Sequence, residues 1–148
     1  MNLTDFQLHH HITTIGKNEI LTKIIVPKPR PGFVSNFQKF GLRESASISV
    51  ASVAVGLCVD NSIITDARIV VGACAPTPII CMNAVQKLIT MNINEIAHDS
   101  RMLNDIAESA SNDISPIDDI RGSAEYRKEI VKTITKRAIL NALANSIV

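Results

Sequence analysis

The side chains best able to do chemistry lie near the end of the chain, where Asp118 and Asp119 form an adjacent acidic pair. Two neighbouring carboxylates could bind a cation. Because this pair precedes a predicted helix, we favour a different role, in which the carboxylates cap that helix or pair with Arg121 or Arg127. The sequence therefore predicts a structural charge cluster at a helix entry.

A helix-entry pattern continues after the acidic pair. Gly122 permits a tight approach of the chain, and Ser123 is a good N-cap whose hydroxyl can accept from a first-turn N–H. We expect the last helix to begin near Ser123 and to run to about Asn145. Its apolar stripe recurs every four residues, at Tyr126, Ile130, Ile134, Ala138 and Ala142. A row of lysines on another face predicts a solvated surface or a site for phosphate or an acidic partner: Lys128, Lys132 and Lys136.

Other candidates for chemistry are weak. The consecutive histidines His9–His11 point in different directions on any regular element, so a solvated tract is favoured over a metal site. His98 beside Asp99 has no nearby nucleophile in sequence and is interpreted as a surface histidine. The glycines are scattered, so no glycine-rich loop that could cradle dinucleotide phosphates is expected. The cysteines are too few for an iron–sulfur cluster and too widely spaced for Cys-x-x-Cys, which predicts small buried side chains: Cys58, Cys74 and Cys81.

Length and charge narrow the function classes. A chain of 148 residues forms one domain, or one domain with an arm. The net charge of +1 gives no reason to expect nucleic acid or an anionic membrane as a partner. No apolar run reaches the ~20 residues that cross a bilayer, and the N-terminus has no secretion-signal pattern. We therefore expect a cytoplasmic protein.

A long hairpin is the clearest predicted element. The strand Ser47–Val59 is apolar on both faces, which indicates a central strand covered on both sides. Turn residues follow at Asp60–Ser62, because Asn and Asp tolerate a left-handed backbone. The second strand, Ile63–Gly72, alternates, with Ile63 on one face and Arg68 on the other.

The part of the chain before the hairpin divides in two. Branched apolar residues predict a strand at Glu19–Val26. Alternating prolines at Pro27–Gly32 then predict a stiff linker, in preference to a proline-rich docking ligand. We place a domain boundary here, with an N-terminal arm and linker at 1–32 and a second domain at 33–148. The second domain opens with an extended segment at Phe33–Arg43.

Two further helices are expected between the hairpin and the last helix, at about Cys81–Ile89 and Asn94–Ala110. An added strand, a hairpin and three helices predict an α+β fold. In this fold an antiparallel sheet is built on the long hairpin, and about three helices pack on one face of the sheet.

Separate stretches of the chain, in the same order, resemble those of one known domain family. They are a strand end at Glu19–Pro27, a lysine–arginine entry at Lys39 and Arg43 into the strand Ile48–Val55, a second strand and loop at Ile64–Pro78, and the run Ile114–Arg127. The family is the C-terminal domain of the FAD-carrying subunit of the molybdenum hydroxylases, which include xanthine dehydrogenase and carbon monoxide dehydrogenase. Within the last run the resemblance implies a structural signature of six residues: Asp119, Arg121, Gly122, Ser123, Tyr126 and Arg127.

The resemblance implies a redox function. In that family the FAD-carrying subunit passes electrons from iron–sulfur clusters to FAD, which then reduces NAD or another acceptor. Hydroxylation of the substrate occurs at a molybdenum cofactor in another polypeptide or domain. Upstream domains hold the FAD phosphates, while the C-terminal domain covers the site near the isoalloxazine ring and helps the subunit dock to its partners.

The same resemblance implies that Lys39 and Arg43 bind the cofactor. A cation near the N1/O2 edge of the flavin would stabilise its reduced form. Solvent-exposed charges at a strand entry are the alternative interpretation of both residues. The chain departs from the family pattern at Ser47, where an aspartate is usual, and at Ile80, where an arginine is common.

Two functions follow from this reasoning. In the first, the chain completes an FAD site with an upstream FAD-binding domain, and iron–sulfur and molybdenum subunits are its further partners. The isolated chain is then expected neither to bind FAD nor to catalyse a reaction. In the second, the chain is a non-catalytic assembly module, such as a homodimer formed through the hairpin edge or the last helix. A third interpretation, an unrelated small-molecule binding domain, rests on the fold class alone.

Overall fold

A computed structural model describes residues 1–43 and 47–144. The described residues form the following elements in chain order: α1 (Leu3–Phe6), β1 (Gln7–His9), β2 (Ile12–Thr13), β3 (Phe33–Gly41), β4 (Ser49–Asp60), β5 (Ile63–Gly72), β6 (Ile79–Ile80), α2 (Met82–Leu88), α3 (Ile93–His98), α4 (Ser100–Asn112) and α5 (Ala124–Ala144). The central antiparallel sheet has the strand order β3-β4-β5-β6, and β1 and β2 pair separately. The predicted α+β architecture is confirmed.

The predicted hairpin is confirmed. Asn61 and Ser62 form its two-residue turn with φ angles of 48° and 66°, the left-handed backbone that a type I′ turn requires. The strict alternation expected for β5 is wrong near this turn, because the register shifts at Thr65, which forms a β-bulge. The bulge places Ile64 in the core in place of Ile63.

Helices cover one face of the sheet. α5 packs against β3 and β4, α2 packs against β5, and α4 contacts both α2 and α5. From β4, Val53, Val55 and Leu57 point into this core and are buried. The opposite face of β4 was predicted to be covered as well, and this is wrong, since its side chains are only half-buried: Ser52, Ala54, Gly56 and Cys58. The prediction failed because small and apolar residues along a central strand are typical both of a buried face and of a face that no helix covers.

The strand predicted at Glu19–Val26 is also wrong. This segment forms no strand, and its large aliphatic side chains are exposed: Ile20, Leu21, Ile24, Ile25 and Val26. A strand exists only where its N–H and C=O groups find a ladder partner, and the described residues provide none here. The composition typical of a strand is therefore present without the pairing that would form one.

One helix was predicted at Asn94–Ala110, and the structure has two. Asp99 interrupts the helix, because its side chain accepts hydrogen bonds from the N–H groups of Arg101 (2.7 Å) and Met102 (3.3 Å). This is the geometry of an N-cap, and it starts α4 after α3 has ended.

The start of α5 matches the prediction. Tyr126 N–H donates to Ser123 Oγ at 3.1 Å, and Ala124 N–H donates to Asp118 Oδ1 at 2.5 Å. The predicted stripe is wrong in its first two turns, where Tyr126 is exposed and Ile130 is half-buried. Arg127 and Val131 are the buried residues there. Asn145, where the helix was expected to end, lies outside the described residues.

Lysines of α5 join it to α4. Lys132 Nζ lies 2.7 Å from Glu108 and 2.8 Å from Glu129, and these two carboxylates raise the pKa of Lys132. Lys136 donates to Asn104 of α4 at 2.9 Å. Two members of the lysine row therefore have structural partners. In the described part of the chain, no helix is long and apolar enough to cross a membrane.

Candidate functional site

The helix-free face of the central sheet, called here the open face, carries the first predicted site residue. Lys39 lies on this face of β3, directly opposite Ser52 of β4. Its side chain is exposed and forms no ion pair with the described residues. On the same face, Phe37 is 62% exposed and lies opposite Ala54. The surface around Lys39 therefore combines an unpaired cation, an aromatic ring and a floor of small side chains.

The floor of the open face depends on glycines. A Cβ added at Gly56 would lie 3.0 Å from Cε2 of the Phe33 ring, so the ring rests directly on the glycine. A Cβ at Gly72 would lie 2.7 Å from Ser52 Oγ. Larger side chains at these positions would project from the open face and displace the Phe33 ring and the Ser52 side chain. Glycine thus allows an aromatic ring to lie directly on the sheet, as the Phe33 ring does on Gly56.

Arg43 lies just after β3 ends, in the connection to β4. It is exposed, forms no ion pair with the described residues, and its backbone carbonyl accepts a hydrogen bond from Ser47 Oγ at 3.1 Å. Residues 44–46 lie outside the described part of the chain. No described contact joins Arg43 to Lys39, so the pairing of these residues at one site stays a prediction.

A cleft of about 620 Å³ lies at the end of the sheet where β4 begins. Three walls enclose it: the start of β4, the turn after β5 and the loop before α5. Their lining residues are Ile48 and Ser49, Ala73 to Pro76, and Ser115, Ile117, Asp119 and Arg121. His9 and His10 also line the cleft, although both are exposed as the sequence predicted.

Arg127 lies where these walls meet and is only 2% exposed. Its Nη1 donates to the carbonyl oxygens of Ala73 (2.8 Å) and Val50 (3.3 Å). Its Nη2 forms an ion pair with Asp119. Arg121 binds the same carboxylate through Nε (2.9 Å) and Nη2 (2.6 Å). The predicted pairing of Asp119 with these arginines is confirmed.

Asp119 and Cys74, two of the cleft residues, are not poised for acid–base or nucleophilic catalysis. Hydrogen bonds from Arg127 and then Arg121 hold the pKa of Asp119 well below its usual range, so this residue stays ionised. Burial raises the pKa of the Cys74 thiol to about 11, against a smaller opposing effect of Arg127. Cys74 therefore stays a thiol at neutral pH.

Of the remaining sequence candidates, Cys58 lies half-buried on the open face, whereas His98 and Cys81 line neither region. His98 is exposed at the end of α3. Cys81 is buried, and burial raises the pKa of its thiol to about 12. In the residues that the structure describes, no group of three or more His, Cys, Asp or Glu side chains could hold a metal ion.

Sequence reasoning missed the cleft as a unit. Arg127 is separated by 77 residues from Val50 and by 54 from Ala73, and no local pattern relates them. Of the three walls of the cleft, only the loop before α5 has a pattern that is local in sequence, namely the charge pairs around Asp119. The other two walls meet it because α5 packs across the sheet.

Comparison with known proteins gives one consistent result. The sequence model of the CO dehydrogenase flavoprotein C-terminal domain matches residues 36–142. The chain is 31% identical over 118 residues to the xanthine dehydrogenase FAD-binding subunit of Escherichia coli, which covers 80% of this chain and 39% of that protein. It is 30% identical over 134 residues to the glyceraldehyde dehydrogenase medium chain of Sulfolobus acidocaldarius, covering 90% and 45% of the two chains.

Solved structures agree with the sequence comparison. Quinoline 2-oxidoreductase from Pseudomonas putida superposes with a TM-score of 0.87 at 26% identity, covering 98% of this chain and 48% of that chain. A Cu,Mo-CO dehydrogenase gives 0.83 at 27% identity over 95% of this chain and 47% of that chain. The chain thus spans less than half the length of the relatives that it matches.

Proposed function

Because the chain belongs to the CO dehydrogenase flavoprotein C-terminal domain family, we propose that it forms the C-terminal part of a molybdenum hydroxylase flavin subunit. In this role it completes an FAD site together with an upstream FAD-binding domain. The observation that carries the proposal is the open face, on which unpaired Lys39 lies beside the exposed ring of Phe37. Residues 33–148 are the proposed domain, and residues 1–32 are an arm and linker joined to the FAD-binding domain.

The open face fits one end of FAD. A planar ring system with a polar edge matches a flat apolar floor flanked by a cation, and Lys39 supplies that cation. The described chain offers no glycine-rich loop, so the phosphates must be held by the upstream domain. Bound FAD would supply exchange of electrons between iron–sulfur clusters and NAD or another acceptor. In this proposal Lys39 and Arg43 hold positive charge near the ring edge.

The N-terminal arm supports the need for a partner. Five large aliphatic side chains between Ile20 and Val26 are exposed, from 56% at Leu21 to 83% at Ile20. Exposed apolar side chains that are this close together typically mark an interaction site, although Thr22 and Lys23 divide them into two groups. We assign it to the upstream FAD-binding domain, with iron–sulfur and molybdenum subunits as the further partners of the assembled enzyme.

The test uses the assembled flavin subunit purified from its source cells. We expect flavin absorption near about 450 nm in the complex, and a reduction potential lowered by the double substitution Lys39→Met and Arg43→Gln. If each exposed cation contributes about 0.5–1 kcal/mol, the potential should fall by roughly 10–20 mV per residue for a two-electron couple. Arg137→Gln, which removes an exposed charge from α5, is the matched control. An unchanged potential in the double variant would contradict the role of the two residues.

A second function, assembly without FAD, is favoured by the position of β3. This nine-residue strand lies at the edge of the sheet and pairs only with β4 among the described strands. An unpaired edge can add a strand from a second copy. A colourless dimer in light scattering of the native preparation would support this function, and a coloured complex with a larger polypeptide would exclude it.

A further inference from the structure

The three walls of the cleft are joined mainly by one side chain. Val50 adjoins the β4 wall, Ala73 belongs to the turn after β5, and Asp119 belongs to the loop before α5. The guanidinium of Arg127 binds all three. We call these contacts the latch.

The latch replaces missing sheet hydrogen bonds. The β4–β5 ladder ends at the pair Ser52–Gly72, so the carbonyl groups of Val50 and Ala73 lie beyond it. Ala73 also has a φ of 63°, a left-handed backbone that turns the chain away from the sheet. Without Arg127, the carbonyl of Val50 would lose this donor at a buried position, which carries a free-energy cost, and the half-buried contact with Ala73 would be lost as well.

The latch also orients the mouth of the cleft. Asp119 is shared between Arg127 and Arg121, so the position of the Arg121 guanidinium depends on where the latch holds the carboxylate. The loop itself is narrow, since Asp119 and Gly122 exchange two backbone hydrogen bonds of 3.2 and 3.1 Å. A movement of Asp119 would therefore carry Arg121 with it.

We infer that Arg127 is a positioning residue whose latch holds the three walls of the cleft in their observed positions. Loss of the latch then separates these walls locally while the rest of the domain stays folded. A planar guanidinium is needed because its donors diverge in a fixed fork, whereas a lysine ammonium is a single point of charge. Most of the hydrophobic core does not involve Arg127, since it is built from the sheet, α2, α4 and the rest of α5. This inference goes beyond the proposed flavin function and does not depend on it.

The chain carries its own probes for this opening. Cys74 lies in the cleft wall and is 1% exposed, and its thiol contacts the same Val50 carbonyl as Arg127. Cys81 belongs to the same core but does not line the cleft, and its thiol lies against the Ala110 carbonyl of α4. Cys74 should react with a thiol reagent when the cleft opens, and Cys81 only when the whole domain unfolds.

The experiment is alkylation of the full chain by iodoacetamide at mildly alkaline pH, with each cysteine followed by peptide mass spectrometry. We expect Arg127→Met to raise the alkylation rate of Cys74 roughly tenfold or more relative to Cys81. Arg127→Lys, which keeps the charge, should give an intermediate ratio. The positive charge of Arg127 lowers the pKa of Cys74, so its removal raises that pKa and leaves less of the reactive thiolate. The loss of charge alone would therefore slow alkylation of Cys74, and a faster rate must come from greater access.

Two further variants keep the test decisive. Asp119→Asn conserves shape and weakens the latch, and it should raise the same ratio if Arg127→Met folds poorly. Lys132→Met removes one ion pair between α4 and α5 (to Glu108) and one within α5 (to Glu129) without touching the cleft, and it should leave the ratio unchanged. An equal rise at Cys74 and Cys81 in both latch variants, or no rise at Cys74, would overturn the inference.

Discussion

Asp119 is the residue on which the interactions of the helix entry converge. Its carboxylate binds Arg121 and Arg127, and its main chain bonds to Gly122. Two guanidinium partners for one carboxylate explain why the pKa of Asp119 is strongly lowered. The charge of Asp119, together with the carbonyl acceptors of Val50 and Ala73, offsets the cost of burying Arg127.

This pKa predicts an acid sensitivity. A carboxyl whose pKa is lower in the folded than in the unfolded chain adds stability above the unfolded value and loses it as pH falls toward the folded value. We therefore expect Asp119→Asn to lower the melting temperature at neutral pH, and expect the gap from the unsubstituted chain to narrow below the ordinary value of 3.8. Circular dichroism melts between neutral and strongly acidic pH measure the gap. A gap that does not change with pH would contradict the prediction.

Residues differ in how far sequence could predict them. The charge pairs of Asp119 and the cap at Ser123 were predicted because their partners lie within a few positions. The contact of Arg127 with Ala73 was not, since it spans 54 residues and depends on how α5 crosses the sheet. Local chemistry is readable from sequence, and convergence of distant walls is not.

At the scale of elements, local caps decide where helices begin. Apolar residues keep a helical spacing through α3 and α4, which predicted one helix. The side chain of Asp99 ends that continuity by capping two N–H groups of α4. The prediction that both faces of β4 are covered was wrong for a related reason. Side-chain size alone does not reveal which face of a strand the helices cover.

The cap gives a measurable prediction. Asp99→Ala should lower the free energy of unfolding by about 1 kcal/mol, since the first N–H groups of α4 lose their acceptor. Asp99→Asn retains an acceptor oxygen and serves as the matched control, with a smaller loss expected. Urea unfolding followed by circular dichroism measures both values. Equal losses in the two variants would show that charge, and not capping, is responsible.

At the scale of the whole molecule, the described chain has one well-packed side and two unpartnered surfaces. The packed side is the core between the sheet and helices α2, α4 and α5. The unpartnered surfaces are the open face and the exposed segment from Ile20 to Val26. The α+β fold was predictable because its hairpin and last helix have strong local patterns. The state of the exposed segment was not, because a strand depends on a ladder partner and the described residues provide none for this segment.

The exposed segment yields a prediction about assembly. Ile24 is 78% exposed, so Ile24→Asp should leave the melting temperature of the isolated chain nearly unchanged. If this side chain is buried against the upstream FAD-binding domain, the loss of about 1.5–3 kcal/mol should weaken association roughly 10- to 100-fold. Isothermal titration of the chain with that domain from the same source measures the affinity. Thr22→Asp is the matched control, since it adds one carboxylate at an exposed position two residues before Ile24 without removing a large aliphatic side chain. Equal weakening by both variants would point to charge, whereas unchanged affinity in Ile24→Asp would show that the segment does not bind there.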